Sequence, residues 1–402
     1  MKIAVVETLR PAIQSNLLFL RLVADDGTVG LGEAFFDPPT VQTYIHESAA
    51  PILLAMDDVT PEGAQLALRP YLGYQGAGAE TRGNGAIELA LWDILGKQSG
   101  KSLAQLFGGP VRKTLRTYNT CAGADYVRTS IAQNSSASWG LRGAAAGELD
   151  DLDAFLNRPA ALAESLLADG ITAMKIWPFD QAAERTQGTQ ISSRDLDAGL
   201  QIFQDIRDAV GNRIDVMLEL HSNWLRRPAA TIMREVAHFD PLWVEDPIRP
   251  DAVDALIQLR RDVPDVPIAT GETAGGRNGF LPLLRAGVID YATVDVQWCG
   301  GVGEARKIAS LADAYGVPVA PHDCTGPATL AASAHIAASQ PNGLMQETVR
   351  AFLRTWYAEL VVGLPVVTGD RLQVSDAPGH GVHIRPELLE SDAFATRRTA
   401  AH

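Results

Sequence analysis

The sequence predicts an α/β protein in which a small N-terminal α+β domain precedes a parallel (β/α) barrel. After residue 115, short apolar segments alternate with amphipathic helical segments, which is typical of parallel βα units. The 402 residues leave room for one barrel of about 250 residues and a smaller domain. Hydrophobic residues make up 46% of the chain, enough to fill cores of that size.

The N-terminal part changes from a strand pattern to a helix pattern. Apolar residues alternate with their neighbours from Leu18 to Leu22, and Asp25-Asp26-Gly27 supplies a turn into the next strand. Further on, Pro61 is placed to begin a helix, and apolar residues from Ile87 to Ile94 form the stripe of another. Residues 1–113 are therefore expected to form the α+β domain.

Eight strand candidates with helical crossovers predict a barrel over residues 114–363, because this pattern suits a closed barrel better than an open sheet. The candidates are Leu115–Cys121, Thr172–Ile176, Ile214–Leu220, Leu242–Val244, Pro267–Ala269, Tyr291–Val294, Val317–Ala320 and Gly343–Met345. The loops at 122–157 and 177–194 are long, and long loops at one end of a barrel are usually functional. Pro/Gly-rich turns then replace the pattern, so we expect residues 364–402 to pack on the N-terminal domain.

Acidic residues recur at the ends of successive strand candidates. Glu219, Glu245 and Glu272 are 26 and 27 residues apart, about one βα unit each, so all three are expected at the barrel mouth. Adjacent carboxylates raise one another's pKa unless a cation joins them. This all-oxygen set of hard ligands predicts a Mg²⁺ site. Solvated or ion-paired acids are the alternative, but chance rarely keeps three residues in phase.

The same spacing continues to Asp295 and His322, which are 27 residues apart. Neighbouring strand ends would bring the Asp295 carboxylate to one imidazole nitrogen and leave the other free as a general base. A lone His after a strand is more often structural, but an in-phase Asp beside a metal site favours the base. Glu347 ends the eighth strand candidate, where it is either a surface acid or a hydrogen-bonding partner for charge that develops on the substrate.

Two further residues are candidates for the mouth of the barrel. His221 follows Glu219 by two residues, so at strand periodicity both side chains face the mouth, where His221 would act as an acid opposite the base. Lys175 ends the second strand candidate, next to Glu219 in the barrel. It would help to hold a substrate carboxylate, or it is a strand-end lysine that pairs with a nearby acid.

Composition excludes several classes of partner. The 34 Lys and Arg residues against 48 Asp and Glu residues give a formal net charge of −14, so no global attraction draws the chain to nucleic acid or an anionic membrane. No 18-residue apolar run and no signal-peptide pattern are present in the sequence, and three scattered cysteines predict neither disulfides nor a zinc cluster. We expect a cytoplasmic protein. The Gly300–Gly303 segment is better explained by turn chemistry than by phosphate binding.

These motifs resemble the enolase superfamily, in its mandelate racemase subgroup, and most of all its galactonate-type sugar-acid dehydratases. The resemblance covers nearly the whole chain and is carried by Ile87–Asp93, Leu106–Gly109, Trp243–Pro247, Thr270–Glu272, Ala320–His322 and Gln346-Glu347. It implies a modified TIM barrel, (β/α)7β, with an N-terminal α+β capping domain that the C-terminal tail completes. It also implies specificity loops near Glu33–Phe36 and Gln75–Gly78, and a homo-oligomer, either an octamer or a dimer.

The resemblance assigns roles by position. The three glutamates match the family's Mg²⁺ ligands, and His322 with Asp295 matches its base dyad. Glu347 matches the acid that hydrogen-bonds the enediolate oxygen, and His221 matches the general acid of galactonate-type dehydratases. The superfamily's use of a Lys or His base with a Mg²⁺-stabilised enediolate is a general property of these enzymes.

The sequence departs from the family pattern at four points. Glu219 stands where Asp is most frequent, and Asp246 stands where Glu is common. Trp177 replaces the second Lys of a Lys-x-Lys pair, which disfavours a two-base racemase. The 122–157 segment is longer than usual, so the family pattern does not define the substrate.

We therefore predict Mg²⁺-dependent dehydration of a sugar acid, an aldonate or similar small molecule, to a 2-keto-3-deoxy acid. The reaction would proceed by abstraction of the α-proton and an enediolate intermediate. A sugar-acid epimerase or cycloisomerase that uses the same intermediate is the nearer alternative. A non-catalytic metal-binding barrel is the more distant one.

Overall fold

A computed structural model describes residues 1–69, 78–131, 133, 135–141 and 149–400 of the chain. The strands are β1 Ile3–Pro11, β2 Leu17–Ala24, β3 Val29–Phe35, β4 Thr114–Thr120, β5 Ala173–Ile176, β6 Asp215–Glu219, β7 Val244–Glu245, β8 Ile268–Thr270, β9 Tyr291–Ala292, β10 Met345–Thr348, β11 Val361–Val362, β12 Val366–Thr368, β13 Arg371–Gln373, β14 His383–Ile384 and β15 Phe394–Ala400.

Helices separate the barrel strands and cover the N-terminal sheet. They are α1 Pro38–Tyr44, α2 Ala50–Ala55, α3 Pro61–Ala67, α4 Ala79–Ser99, α5 Leu103–Leu106, α6 Asp151–Asn157, α7 Pro159–Ala168, α8 Asp180–Thr186, α9 Ser193–Val210, α10 Arg226–Val236, α11 Val253–Asp262, α12 Gly276–Ala286, α13 Val302–Ala314, α14 Pro327–Ser339, α15 Arg350–Arg354, α16 Trp356–Leu360 and α17 Pro386–Leu389. A π-helical turn spans Ile45–Ala49, and 3-10 turns span Ser136–Trp139, Gly211–Arg213 and Ala237–Phe239.

The N-terminal part forms a capping domain around a four-stranded antiparallel sheet with the order β15-β1-β2-β3. Helix α4 packs closely on β3 because two glycines of that strand have no side chain. A Cβ atom at Gly30 or Gly32 would lie 2.0 Å from the backbone oxygen of Ala90 or Ala86, respectively. Glycine is therefore required where the helix meets the strand.

Strands β4 to β9 pair in parallel and in chain order. Val319 then makes parallel bridges to Ala292 and Gly343, and β10 pairs in parallel with β4, so the pairings return to the first barrel strand. The predicted seventh strand, Val317–Ala320, is reduced to the Val319 bridges, since Pro318 and Pro321 lack the N–H groups that a longer ladder needs.

The C-terminal tail divides between the two domains, in contrast to the expectation that all of it packs on the cap. Strand β15 completes the cap sheet by antiparallel pairing with β1. The β12-β13 hairpin instead extends the barrel sheet, with Leu372 opposite Leu115 of β4. Because both leucines are buried, this hairpin covers apolar surface at the start of the barrel.

Apolar side chains fill the barrel interior and support the mouth from below. The buried members of this layer come from successive barrel segments and are Tyr118, Ala173, Met217, Trp243, Ala269, Ala320 and Met345. The residues that follow them along the strands are carried to the C-terminal end of the barrel, where polar groups collect. Within the described ranges, the longest helices are too short or too polar to cross a membrane.

Candidate active site

The structure brings the three glutamates of the sequence pattern together at the mouth of the barrel. Glu219 and Glu245 end β6 and β7 and lie opposite each other in the parallel register, and Glu272 follows β8 by two residues. One carboxylate oxygen of each lies within 4.8 Å of the others, and all three side chains are buried. Burial, together with the neighbouring acids, raises the pKa of Glu245 well above its usual range.

The triad offers the carboxylate oxygens that a hard dication binds, and some of these oxygens accept no hydrogen bond from the described residues. Glu219 accepts a hydrogen bond from the His221 backbone N–H at 2.6 Å through one oxygen, and its other oxygen accepts no hydrogen bond from the described residues but lies 3.3 Å from the Lys175 Nζ. Glu245 accepts from Trp243 Nε1 at 2.9 Å and likewise keeps one buried oxygen without a hydrogen bond. Buried carboxylate oxygens without donors are costly. The three residues therefore fit Mg²⁺, which takes carboxylate oxygens and keeps open positions.

Lys175 lies at the centre of the acidic cluster. Its Nζ is 3.3 Å from Glu219 Oε2, 3.1 Å from Glu245 Oε2 and 3.1 Å from Glu347 Oε1. Burial opposes the ammonium charge, but Glu245 and Glu347 outweigh burial and raise the Lys175 pKa well above its usual range. The side chain is thus a charged donor at the mouth of the barrel.

His322 and Asp295 form the dyad that their spacing predicts. The His322 Nδ1 atom lies 2.9 Å from Asp295 Oδ2, and the other Asp295 oxygen accepts backbone N–H bonds from Gln297 and Trp298 at 2.7 and 2.8 Å. The Nε2 atom is free of this pairing and lies 3.4 Å from Glu272 Oε2. Burial disfavours the imidazolium, but Glu272 and then Glu347 raise the His322 pKa well above its usual range.

Glu347 is held as a carboxylate. It accepts hydrogen bonds from the Thr120 hydroxyl and, at 2.8 Å, from the Asp323 backbone N–H. Burial opposes its ionisation, but Lys175 and His322 outweigh burial and lower its pKa to about 2. An ionised Glu347 orients the Lys175 ammonium and accepts hydrogen bonds.

A second histidine–carboxylate pair stands at the mouth. His221 Nδ1 lies 2.7 Å from Oδ2 of the buried Asp180. His221 was expected to face the mouth as part of the same strand as Glu219. Instead, β6 ends at Glu219, and His221 lies in the turn that follows, with a left-handed φ of 47°. Burial opposes the imidazolium, but Asp180 and Glu219 raise the His221 pKa to about 10.

Asp180 is a functional residue that the sequence pattern does not reveal. It lies in the long 177–194 connection, which we expected to be functional, at the first position of α8, where the helix dipole favours a carboxylate. The sequence of that connection does not indicate where Asp180 lies relative to β6. Asp180 and His221 are 41 residues apart, so only the fold brings them together.

Both histidines, Lys175 and Glu272 of the triad line a cavity of about 820 Å³ between cap and barrel. Phe36 and Arg82 line it from the cap, and the 122–157 segment supplies much of the wall. The polar, uncharged lining residues are Thr120, Gln133, Ser135, Ser136, Gln187, Ser222, Asn223 and Thr273. Such a lining suits a polyhydroxylated ligand better than an apolar one. Of the second predicted specificity loop, residues 75–77 lie outside the described part of the chain.

The packing around the site also defines the environment of the Gly300–Gly303 segment and of two cysteines. Gly300 and Gly301 have φ values of 109° and 117°, and the N–H of Gly303 donates to Glu88 Oε2 at 2.9 Å. The helix N-terminus is therefore occupied by a side chain, in agreement with the turn interpretation. Cys299 is buried, whereas Cys324 is half-buried and lines the cavity.

The fold and the site define a class: a capped (β/α) barrel with a carboxylate triad at its mouth. Residues 4–108 match the mandelate racemase/muconate lactonizing enzyme N-terminal domain, and residues 158–388 match the family described as enolase C-terminal domain-like. The chain belongs to the enolase superfamily, in its mandelate racemase subgroup.

Individual relatives agree with this assignment. A solved enolase of the mandelate racemase subgroup from Agrobacterium tumefaciens is 42% identical, with a TM-score of 0.87, and covers 100% of this chain and 99% of its own. The D-gluconate/D-galactonate dehydratase of Picrophilus torridus is 26% identical over 94% of this chain and 88% of its own. The D-galactarolactone cycloisomerase of Agrobacterium fabrum is 28% identical over 92% and 90%, respectively. The chain is an enzyme, as its sequence predicts.

Proposed function

We propose that the enzyme dehydrates a sugar acid to a 2-keto-3-deoxy acid with the help of Mg²⁺. The observation that carries the proposal is the pair of histidine–carboxylate dyads at one cavity, His322–Asp295 and His221–Asp180, beside the carboxylate triad. Dehydration needs one group that takes a proton from the α-carbon and another that gives a proton to the departing β-hydroxyl. Relatives named as acid-sugar dehydratases agree with this chemistry.

Glu219, Glu245 and Glu272 would hold the cation, and Lys175 would bind the substrate carboxylate. When bound, Mg²⁺ would supply electrostatic stabilisation of the enediolate charge that develops at that carboxylate. Glu347 forms an ion pair with Lys175, in which its Oε1 lies 3.1 Å from Nζ, and so orients the ammonium toward the site. Because Lys175 and His322 outweigh burial and lower the Glu347 pKa to about 2, whereas the Lys175 pKa is raised, we propose Lys175 as the donor of the hydrogen bond to the enediolate, in place of the role that the resemblance implies for Glu347.

His322 would act as the base through Nε2. Asp295 holds the Nδ1 side of the ring and keeps a proton there. Among the neighbouring acids Glu272 does most to raise the His322 pKa, and a cation held by Glu272 would offset that effect, so that Nε2 would be free to accept the α-proton. Two backbone N–H groups fix the other Asp295 oxygen and prevent the carboxylate from rotating. The ring of Trp298 packs on His322 at a centroid distance of 5.0 Å and restricts its plane.

His221 would act as the general acid. Its Nδ1 is held by Asp180, which leaves Nε2 to donate a proton to the β-hydroxyl as the C–O bond breaks. Trp177, which takes the place of a second lysine, packs edge-on against His221 at 5.6 Å between ring centroids. Trp177 thus positions the acid instead of abstracting a proton. Loss of water leaves an enol, which tautomerises to the 2-keto acid.

The test is a screen of acid sugars for keto-acid formation, detected as semicarbazones, with and without Mg²⁺. We expect Mg²⁺-dependent turnover that His322→Asn abolishes, because no other group replaces the base at Nε2. The exposed His238 provides a matched control, and His238→Asn should be as active as the wild type.

Three results would contradict the proposal. Full activity of His322→Asn would remove the assigned base. Deuterium incorporation from solvent into recovered substrate, with no keto acid formed by any member of the library, would indicate epimerisation. Metal binding without any turnover would indicate a non-catalytic barrel.

A further inference from the structure

Arg82 is a charged residue at the cavity that the proposed mechanism does not use. It belongs to the first turn of α4 in the cap, and its side chain lines the cavity that also contains His322 and Lys175. Among the described residues that line the cavity, the lysine is Lys175 and the arginine is Arg82. Lys175 pairs with three carboxylates and is assigned to the first carboxylate of the substrate, so Arg82 is the one of the two that remains for a second anion.

The guanidinium has no directly paired counter-charge within the described residues, although Asp37 and Glu80 act on it without forming an ion pair. It makes no ion pair within 4.0 Å there, and its buried Nε has no hydrogen-bond partner. Burial lowers the Arg82 pKa from its usual value, and the opposing effects of Asp37 and Glu80 do not restore it. A desolvated cation of this kind gains most from an anion, because an unpaired buried donor is costly.

Arg82 enters the cavity from the cap, whereas Lys175 and the metal triad belong to the barrel, and the two carboxylates that act on Arg82, Asp37 and Glu80, are also residues of the cap. Glu184, which also lines the cavity, is already engaged, since its Oε2 accepts from the Ser136 N–H at 3.0 Å and from the Ser136 hydroxyl at 2.6 Å. The same lining includes polar, uncharged side chains such as Gln133 and Asn223. The cavity therefore offers one anion site on its cap side, one on its barrel side, and hydroxyl-binding groups in the rest of its lining.

We infer that Arg82 binds a second carboxylate at the distal end of the substrate, so that the preferred substrates are dicarboxylic sugar acids (aldarates) instead of aldonates. The inference rests on the proposed dehydration and adds the class of acid sugar to it. The planar guanidinium presents two parallel N–H donors that match a carboxylate, whereas a terminal hydroxymethyl group would leave its charge uncompensated.

The experiment compares kcat/KM for pairs of acid sugars that differ only at the terminal carbon, such as galactarate with galactonate and glucarate with gluconate. The wild type should favour the dicarboxylate of whichever pair it converts. Arg82→Gln should reduce kcat/KM for that dicarboxylate by about 10- to 100-fold, mainly through KM, and leave the aldonate within about threefold. Arg82→Lys keeps the charge but loses the paired N–H donors of the guanidinium, so its kcat/KM for the dicarboxylate should lie between those of the wild type and Arg82→Gln.

The exposed Arg69 supplies the control, because Arg69→Gln removes the same charge from the cap surface without touching the cavity. An equal loss for both members of a pair in Arg82→Gln, or a wild-type preference for aldonates, would overturn the inference while leaving the dehydration proposal intact. No keto acid from any acid sugar would instead contradict the dehydration proposal. Circular dichroism of each variant separates misfolding from loss of recognition, and Arg82→Lys keeps the test open if Arg82→Gln does not fold.

Discussion

The contact between Asp180 and His221 allows the acid half of the proposed reaction to be tested apart from the base half. Asp180→Asn removes a buried carboxylate 2.7 Å from His221 Nδ1 while keeping the volume of the side chain. A hydrogen bond between charged partners in such a setting is worth roughly 1.5–3 kcal/mol. At about 1.4 kcal/mol per factor of ten, the expected loss of dehydration rate is about 10- to 150-fold.

The loss should depend on pH. Burial lowers the His221 pKa, but Asp180, followed by Glu219, raises it to about 10, so removal of the carboxylate lowers it again. A smaller fraction of His221 then carries the proton at alkaline pH. The deficit of Asp180→Asn relative to the wild type should therefore be larger at pH 9 than at pH 7.

Two assays on the same samples separate the steps. Keto-acid formation reports the complete dehydration, whereas exchange of the substrate α-proton with solvent deuterium reports the base alone. Asp180→Asn should slow the first and preserve the second, and the exposed Asp197→Asn serves as the control. Equal losses in both assays, or unchanged dehydration, would refute the assignment of His221 as an acid positioned by Asp180.

Two further predictions concern stability. Burial raises the Glu88 pKa from 4.5 to about 8, so this group stabilises the fold most below pH 4.5 and loses its contribution as pH rises to about 8. Glu88→Gln should remove roughly 5 kcal/mol of that pH dependence from the free energy of unfolding in urea. Identical pH dependence of the unfolding free energy in the two proteins would contradict this prediction. Gln297→Met deprives the Phe35 N–H of its acceptor at 2.8 Å and should cost about 1–3 kcal/mol, measured against the exposed Gln181→Met; an unchanged urea midpoint would show that the cap does not depend on this bond.

The sequence predicts the strand-end residues well because the βα unit has a nearly constant length. Glu219, Glu245 and Glu272 follow the strands at that interval, and parallel strands all end at the same face. Asp295 and His322 continue the interval, and the structure places them 2.9 Å apart. Their proximity follows from local pattern and phase, which a one-dimensional sequence contains.

Residues that reach the cavity by other routes could not be predicted in this way. Asp180 begins the short helix α8 in the connection after β5, and Arg82 belongs to a helix of the cap, and no periodicity relates either residue to the barrel mouth. The sequence pattern also failed to predict the bounds of the seventh barrel strand, because the prolines on either side of Val319 limit its pairing.

By itself, the sequence determined the fold class, the phase of the carboxylates and the His322–Asp295 pairing, since each depends on spacing along neighbouring strands. Only the tertiary structure decided the pairing of His221 with Asp180, the contact of Glu347 with Lys175, and the presence of Arg82 at the cavity. These features depend on burial and on contacts between segments distant in sequence, and the electrostatic energies involved are set by distance and desolvation in three dimensions.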